Sequence, residues 1–244
     1  MDEGARPLAW LRAKYELHSF SYRDPRGAFS AAVGLPVVSP TAVLLGICST
    51  LYHLGREQDA EDFLGTIHQC RVKVDPPEGV VFFRAFHQLR RYVREGTKSK
   101  GEKPSPRIGL TDINQGTREY GLLQGPLTLY VGVLPHQRAF AIDGLRNRDH
   151  IGTHDSLCSL LGDVEDVGEP EDILFEPLDS GSLPVPQEGP VSVVTLARFK
   201  SADFGKDSLP YWRMSGGPNT ELVPFMIRGN FTGTRAGKIY RKRG

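Results

Sequence analysis

The sequence predicts an α+β protein in which two helices cover one face of an antiparallel sheet. Three observations predict it. An apolar helix with a serine-proline start follows a first alternating strand; strand, helix and strand patterns then recur; and a long basic stretch without a hydrophobic period interrupts them.

Residues 9–21 alternate in part, with Leu11, Ala13, Tyr15 and Leu17 against Arg12, Lys14, Glu16 and His18, as a half-buried strand does. Ser39-Pro40 then reads as an N-cap followed by proline at the first helical position, where the missing N–H costs nothing. Val43, Leu44, Ile47, Leu51 and Leu54 recur at spacings of three and four, so the helix runs to about His53. A second short helix is expected over 59–64, where acids crowd the first turn and Gly65 follows. Residues 70–74 and 80–87 read as strands separated by turn residues, and 126–134 alternates cleanly. A short helix over 139–146 and a strand over 156–161 complete the order β-α-β-β-α-β, that of the ferredoxin-like (RRM-like) split βαβ.

Two regions fall outside that order. Between residues 88 and 125 glycines and prolines punctuate a polar stretch that reads as an insertion, since long loops without their own structure are uncommon in compact domains and are usually functional. From 168 onward, prolines 170, 177, 184, 186 and 190 mark a linker into a smaller β-rich C-terminal part, with strands over 191–199 and 222–227. The expected division is therefore 1–167 and 168–244.

With 244 residues, 39% hydrophobic and 24% charged, the chain can bury roughly 70 to 75% of its unfolded surface and needs no staple. Its longest strongly apolar run, 42–47, is far below the ~18 residues that span a bilayer, and the first ten residues lack a signal peptide's apolar region. Cys48, Cys70 and Cys158 are odd in number and widely spaced, which suits neither a disulfide framework nor a zinc site. A cytoplasmic protein is expected.

Net charge is only +1, but its placement is uneven. Arg84, Arg90, Arg91, Arg94, Lys98, Lys100, Lys103 and Arg107 face two acids, Glu95 and Glu102, giving that window +6. Arg228, Arg235, Lys238, Arg241, Lys242 and Arg243 give the C-terminal tail another +6 with no acid. Eight acids between Asp163 and Asp179 compensate. They read as a solvated loop, with contact to a basic neighbouring subunit as the lesser option.

Enzyme signatures fail on spacing. His154-Asp155-Ser156 holds the three triad residue types, but adjacent positions do not form one hydrogen-bonded line. GTKSKGEK at 96–103 lacks the terminal Gly-Lys-Ser/Thr of a phosphate-binding loop. The seven histidines follow no metal-ligand spacing, so neither metal nor cofactor is assigned.

The chemistry the sequence does carry is that of polyanion binding. Arginine forks bond phosphate oxygens bidentately and stack on bases, and a cationic groove with aromatic platforms suits single-stranded RNA. For eight bases within 24 residues, function outweighs a merely solvated loop; for the tail, around Tyr240, the odds are even. The candidate contacts are His87, Arg90, Arg91, Tyr92, Arg94, Lys98, Lys100, Lys103 and Arg107 in the insertion and Arg235, Lys238 and Arg241 in the tail. Tyr22, Arg23 and Arg26, just after the first strand, join them, although an ordinary polar turn explains them equally well. Phe82, Phe83 and Phe86 alternate poorly and are left unassigned, because some must be core residues; for Arg118-Glu119-Tyr120 a local ion pair with a tyrosine packed beside it is an equal alternative to a binding role.

Three stretches, FSYRDPRGAFSAAVGLPVVSPTAVLLGICSTL, REYGLLQGPLTLYVGV and GTHDSLCSLLG, resemble the fifth family of CRISPR-associated proteins, in the RAMP superfamily. The resemblance spans about residues 8–165 and fades in the C-terminal third. It implies a ferredoxin-like RAMP palm with a long β-hairpin thumb inserted after the second strand, where residues 88–120 fall. It further implies a subunit that caps one end of a type I Cascade-like effector, grips the 5′ handle of the CRISPR RNA, touches the large and first backbone subunits, and meets target DNA through that complex. Some relatives cut the precursor RNA without metal, using Tyr, His and Lys. His87 lies near Tyr92 and Lys98 in sequence, yet nothing fixes their geometry, so a non-catalytic subunit is favoured. An RNA-processing endonuclease and a ferredoxin-like metabolic enzyme with an anionic substrate remain alternatives.

Overall fold

The computed structural model describes residues 7–22, 24, 34–92, 111–152, 155–178, 189–200, 220–233 and 237–243, and for 87–92 and 111–117 the backbone alone. It is an α+β arrangement of mostly antiparallel sheets and few helices. Its largest sheet orders β2 (Arg71–Asp75), β5 (Leu127–Val133), β1 (Ala9–Leu17) and β6 (Cys158–Leu160) side by side, every pairing antiparallel. α1 (Pro40–His53) lies between β1 and β2 in sequence, and α3 (Arg138–Arg146) between β5 and β6. Since β5 separates β1 from β2 and β1 separates β5 from β6, the two crossover units interleave, which is compatible with the layout the element order predicts.

One face of this sheet forms the core. Leu11, Ala13 and Tyr15 stand opposite Val131, Leu129 and Leu127, Val72 and Val74 flank them, and all are buried. Tyr15 ties the sheet to α3 by donating its hydroxyl to the Leu145 carbonyl at 2.6 Å. The clean alternation of β5 predicts one wet face, but Thr128 and Gly132 are also buried. A Cβ at position 132 would stand 3.0 Å from the Trp10 indole and 3.1 Å from Leu8, so the second face is covered and glycine leaves the room for it.

α1 begins as its sequence dictates. Ser39 is extended, its hydroxyl accepts the Ala42 N–H at 3.1 Å, and Pro40 opens the helix. α2 (Glu57–Gly65) follows with Glu57 and Asp59 in its first turn. Among the described residues no helix is long and apolar enough to cross a membrane.

Several expectations are corrected. The strand expected over 80–87 is present but runs on as β3 (Gly79–Tyr92), which lies outside the largest sheet and pairs along its whole length with β4 (Thr111–Gln124). Within the insertion, residues 88–92 and 111–124 are thus paired antiparallel strands, as the inserted hairpin implied by the resemblance requires. The acidic segment is largely exposed but only in part a loop, because β7 (Glu165–Val167) pairs with β1, and Glu165, Asp166, Asp163 and Glu176 meet Arg12, Arg138, Arg146 and Lys73. Exposed pairs of this kind are screened by solvent and contribute little to stability, so they trim the acidic edge more than they hold the fold. The proline-marked linker contains β8 (Phe175–Pro177), which pairs with β10 (Thr220–Arg228), itself paired with β9 (Val191–Phe199). Phe175, Val194, Leu196, Phe225 and Ile227 belong to the same buried cluster as the residues of the first sheet.

The basic tail is also structured. β11 (Asn230–Gly233) and β12 (Lys238–Arg241) form a hairpin, and β12 docks on β3 with Ile239 opposite Val81, giving a four-stranded sheet in the order β11-β12-β3-β4.

All three cysteines are free and buried. Burial pushes the Cys48 and Cys70 thiols up to about 12 and Cys158 to about 11. These raised values contribute stability at neutral pH that is lost above about pH 9, where unfolded thiols ionise and folded ones do not. A chromogenic disulfide reagent at pH 8 is expected to label three thiols per chain in denaturant and almost none in the native protein. Rapid native labelling would show that the helices do not seal this core.

Candidate nucleic-acid interface

The arm formed by β3 and β4 is rooted in the body and leaves it. Each strand has 14 residues, which at ~3.3 Å per residue makes an arm of roughly 46 Å. Val80 and Phe82 are buried, whereas Phe83 and Phe86 are 39% and 71% exposed, so the body ends near Arg84. Gly121 lets the root close: a Cβ there would lie 2.7 Å from the Val80 methyl, and its N–H donates to the Phe20 carbonyl at 2.6 Å. β4 has no alternating pattern because its partner strand, not its own composition, makes it a strand.

The predicted site residues separate into three groups. His87, Arg90, Arg91 and Tyr92 are on the outer part of β3, with backbone partners Gly116, Ile113, Asp112 and Thr111. Arg94, Lys98, Lys100, Lys103 and Arg107 lie outside the described residues, as do Arg23, Arg26 and Arg235. Tyr22, Lys238 and Arg241 are described.

Two of those three face inward. Tyr22 is 6% exposed and donates its hydroxyl to the Ser39 oxygen at 2.6 Å, so it braces the N-cap of α1; burial raises its pKa. The polar turn that made it a candidate does not hold its ring out to solvent. Lys238 is largely buried, donates to the Gly34 carbonyl at 2.6 Å, and lies 4.6 Å from the Phe82 ring and 4.9 Å from that of Phe231. Desolvation lowers its pKa and Glu119, 4.0 Å away, opposes the shift. These contacts clamp β12 to the arm's root. Arg241 is exposed on β12 opposite Gly79.

Much of the tail's charge is cancelled by the chain itself. Lys242 lies 2.8 Å from Asp75 and 3.7 Å from Glu78, and Arg243 lies 3.8 Å from Glu78. At the root of the arm Glu119 accepts the Gly34 N–H at 2.7 Å and has Arg84 at 3.4 Å, but Arg84 is 68% exposed and so loosely held. Arg118 pairs with Asp155 and not with its neighbour Glu119, correcting the local ion pair read from sequence. Ser156 turns inward and accepts the Ser21 N–H at 3.0 Å.

Sequence reasoning missed the aromatic residues of the root. Phe82 is core, whereas Phe83 points outward and stacks with Tyr120 across the strands, centroids 6.1 Å apart and planes at 29°. Strict alternation from Val80 would have separated the two phenylalanines. A cleft of about 300 Å³ with Trp10, Leu44 and Phe225 in its walls also contains Lys73 and Arg198, which pair with Glu176 and Glu221. Two of its cations are thus already neutralised. Among the described residues no three His, Cys, Asp or Glu are grouped to hold a metal.

No protein-family model matches the chain, and no curated protein matches it. Among solved structures the chain is similar to a crystal structure of a CRISPR protein from Archaeoglobus fulgidus, with 12% identity, coverage of 96% of this chain and 90% of that one, and a TM-score of 0.48.

Proposed function

We propose that this chain is the guide-RNA-binding subunit that grips the 5′ handle of a CRISPR RNA and caps one end of a type I Cascade-like surveillance complex. The observation that carries the reading is the arm: two long strands leave an α+β body at the point where a window of eight bases and two acids begins. The resemblance of residues 20–51, 118–133 and 152–162 to the fifth CRISPR-associated family supports the same reading. On it, the body is a ferredoxin-like RAMP palm and the arm its thumb. The arm holds RNA through phosphate contacts, the backbone and large subunits dock on the body, and target DNA is met through the complex.

The test is direct. Purified protein incubated with its repeat RNA in EDTA is expected to bind it and leave it intact. Specific cleavage would make the chain a metal-independent processing endonuclease, and absence of binding would sink both RNA readings. Replacing Arg90, Arg91 and Arg94 together by alanine should weaken binding and flatten the slope of log affinity against log salt by about 2, since each lost single-strand phosphate contact removes about 0.7. An unchanged slope removes the arm from the interface.

A further inference from the structure

We propose that the outward face of the arm's root is a stacking platform for unpaired bases, so that the bound RNA is single-stranded where it crosses Phe83 and Tyr120. The proposal rests on the RNA-binding reading and adds to it a second, uncharged mode of contact at a place the charge pattern does not mark.

The face follows from register. Successive β3 side chains alternate, so burial of Val80 and Phe82 turns Val81 and Phe83 outward. Pairing then sets Leu122 beside Val81 and Tyr120 beside Phe83 on β4, with Ile239 of β12 on the other side of Val81. Val81, Leu122 and Phe83 are 49%, 58% and 39% exposed. Single exposed apolar side chains are ordinary, but a contiguous set across three strands marks a surface that something covers.

Two observations select nucleic-acid bases as the occupant. First, the aromatic rings lie at 29° to one another on an open sheet surface instead of being packed edge-on in a core, and flat apolar rings present the surface on which bases stack. Second, cations bracket the apolar middle. Arg118 shares the face one step beyond Tyr120, opposite Ala85, and Arg241 closes the other end opposite Gly79. From Gly79 to Ala85 is roughly 20 Å at ~3.3 Å per residue, so bases over the centre leave phosphates near both ends. Arg118 is held by Asp155, whereas Arg241 forms no ion pair among the described residues. The surface also continues directly into the basic arm, so a strand gripped there passes over the platform.

The experiment measures affinity of the full chain for a single-stranded repeat RNA and for the same RNA in a duplex, across a range of salt, with Phe83→Ala, Phe83→Leu and Phe83→Trp. Loss of one stacked base predicts weakening of single-strand binding by about 5- to 150-fold for Phe83→Ala. Phe83→Leu should lose most of that, since it keeps apolar area without a ring face, while Phe83→Trp keeps wild-type affinity. The salt slope should stay unchanged in all three, because no phosphate contact is removed. Thermal melting reports whether each variant is folded, and Phe83→Leu carries the test should Phe83→Ala unfold. Unchanged affinity in Phe83→Ala and Phe83→Leu, or full retention by Phe83→Leu alone, overturns the platform, as does a variant that binds RNA normally but no longer assembles with protein partners. If the arginine triple variant weakens binding and the Phe83 variants do not, the platform falls and the RNA-binding reading stands; if the wild-type chain binds no RNA, both fall.

Discussion

Leu51→Ala is expected to lower the free energy of unfolding by about 2 to 5 kcal/mol, the range of large-to-small substitutions at sealed core positions. Leu51 is fully buried on α1. That helix is covered by more than the sheet beneath it: α2, α3 and β9 also pack on it. A helix enclosed on several sides has little freedom to move into a vacated volume, which favours the upper half of the range. Urea denaturation checks this through a lower midpoint at constant m-value. A loss below about 1 kcal/mol would mean that α1 is not the central helix.

Gly144→Val is expected to destabilise by about 3 kcal/mol or more, even though glycine is a poor helix former. An alanine in place of glycine gains about 1 kcal/mol of helix propensity at an exposed site, so propensity alone predicts stabilisation by removing this glycine. Packing predicts the reverse. Any Cβ at position 144 would stand 2.6 Å from a methyl of Ile47 and 3.1 Å from its Cα, and the backbone contact yields only if α3 moves away from α1. Overpacking of this kind typically costs about 1 to 3 kcal/mol, and two further methyl groups add to it. Gly144→Ala should therefore fall below wild type as well. Thermal melting of the two variants decides between the effects, and a more stable Gly144→Ala would show that the helices are not in close contact at this crossing.

The elements that were legible from sequence are those whose structure is locally determined. Ser39-Pro40 announces α1 because a cap and a fixed φ act within one turn. The partial alternation of β1 is legible because it has a face turned toward the core. β4 was not legible: TDINQGTREYGLLQ scatters its strand formers Thr111, Ile113, Thr117 and Tyr120 among polar residues and glycines without sustained alternation, and β3 supplies its hydrogen bonds. The tail illustrates the same limit for charge. Lys238 and Lys242 read as a cationic extension, whereas their carboxylate partners Glu119, Asp75 and Glu78 lie far away in sequence and nothing local predicts them. The place of Tyr22 was not legible because a polar sequence context does not reveal that its hydroxyl reaches the cap of the next helix. Phe83 was left unassigned for the opposite reason, since three phenylalanines in five positions hide the period that separates core from surface.

The pairing of Ile239 with Val81 joins segments separated by most of the chain. On the ribosome β3 is therefore made long before the strand that covers its flank, and a nascent chain carries an open row of peptide donors and acceptors in the interval. Heterologous expression should accordingly be limited by aggregation of immature chains more than by weakness of the finished product. Slower translation at low temperature would then change soluble yield without altering the melting point of what is recovered.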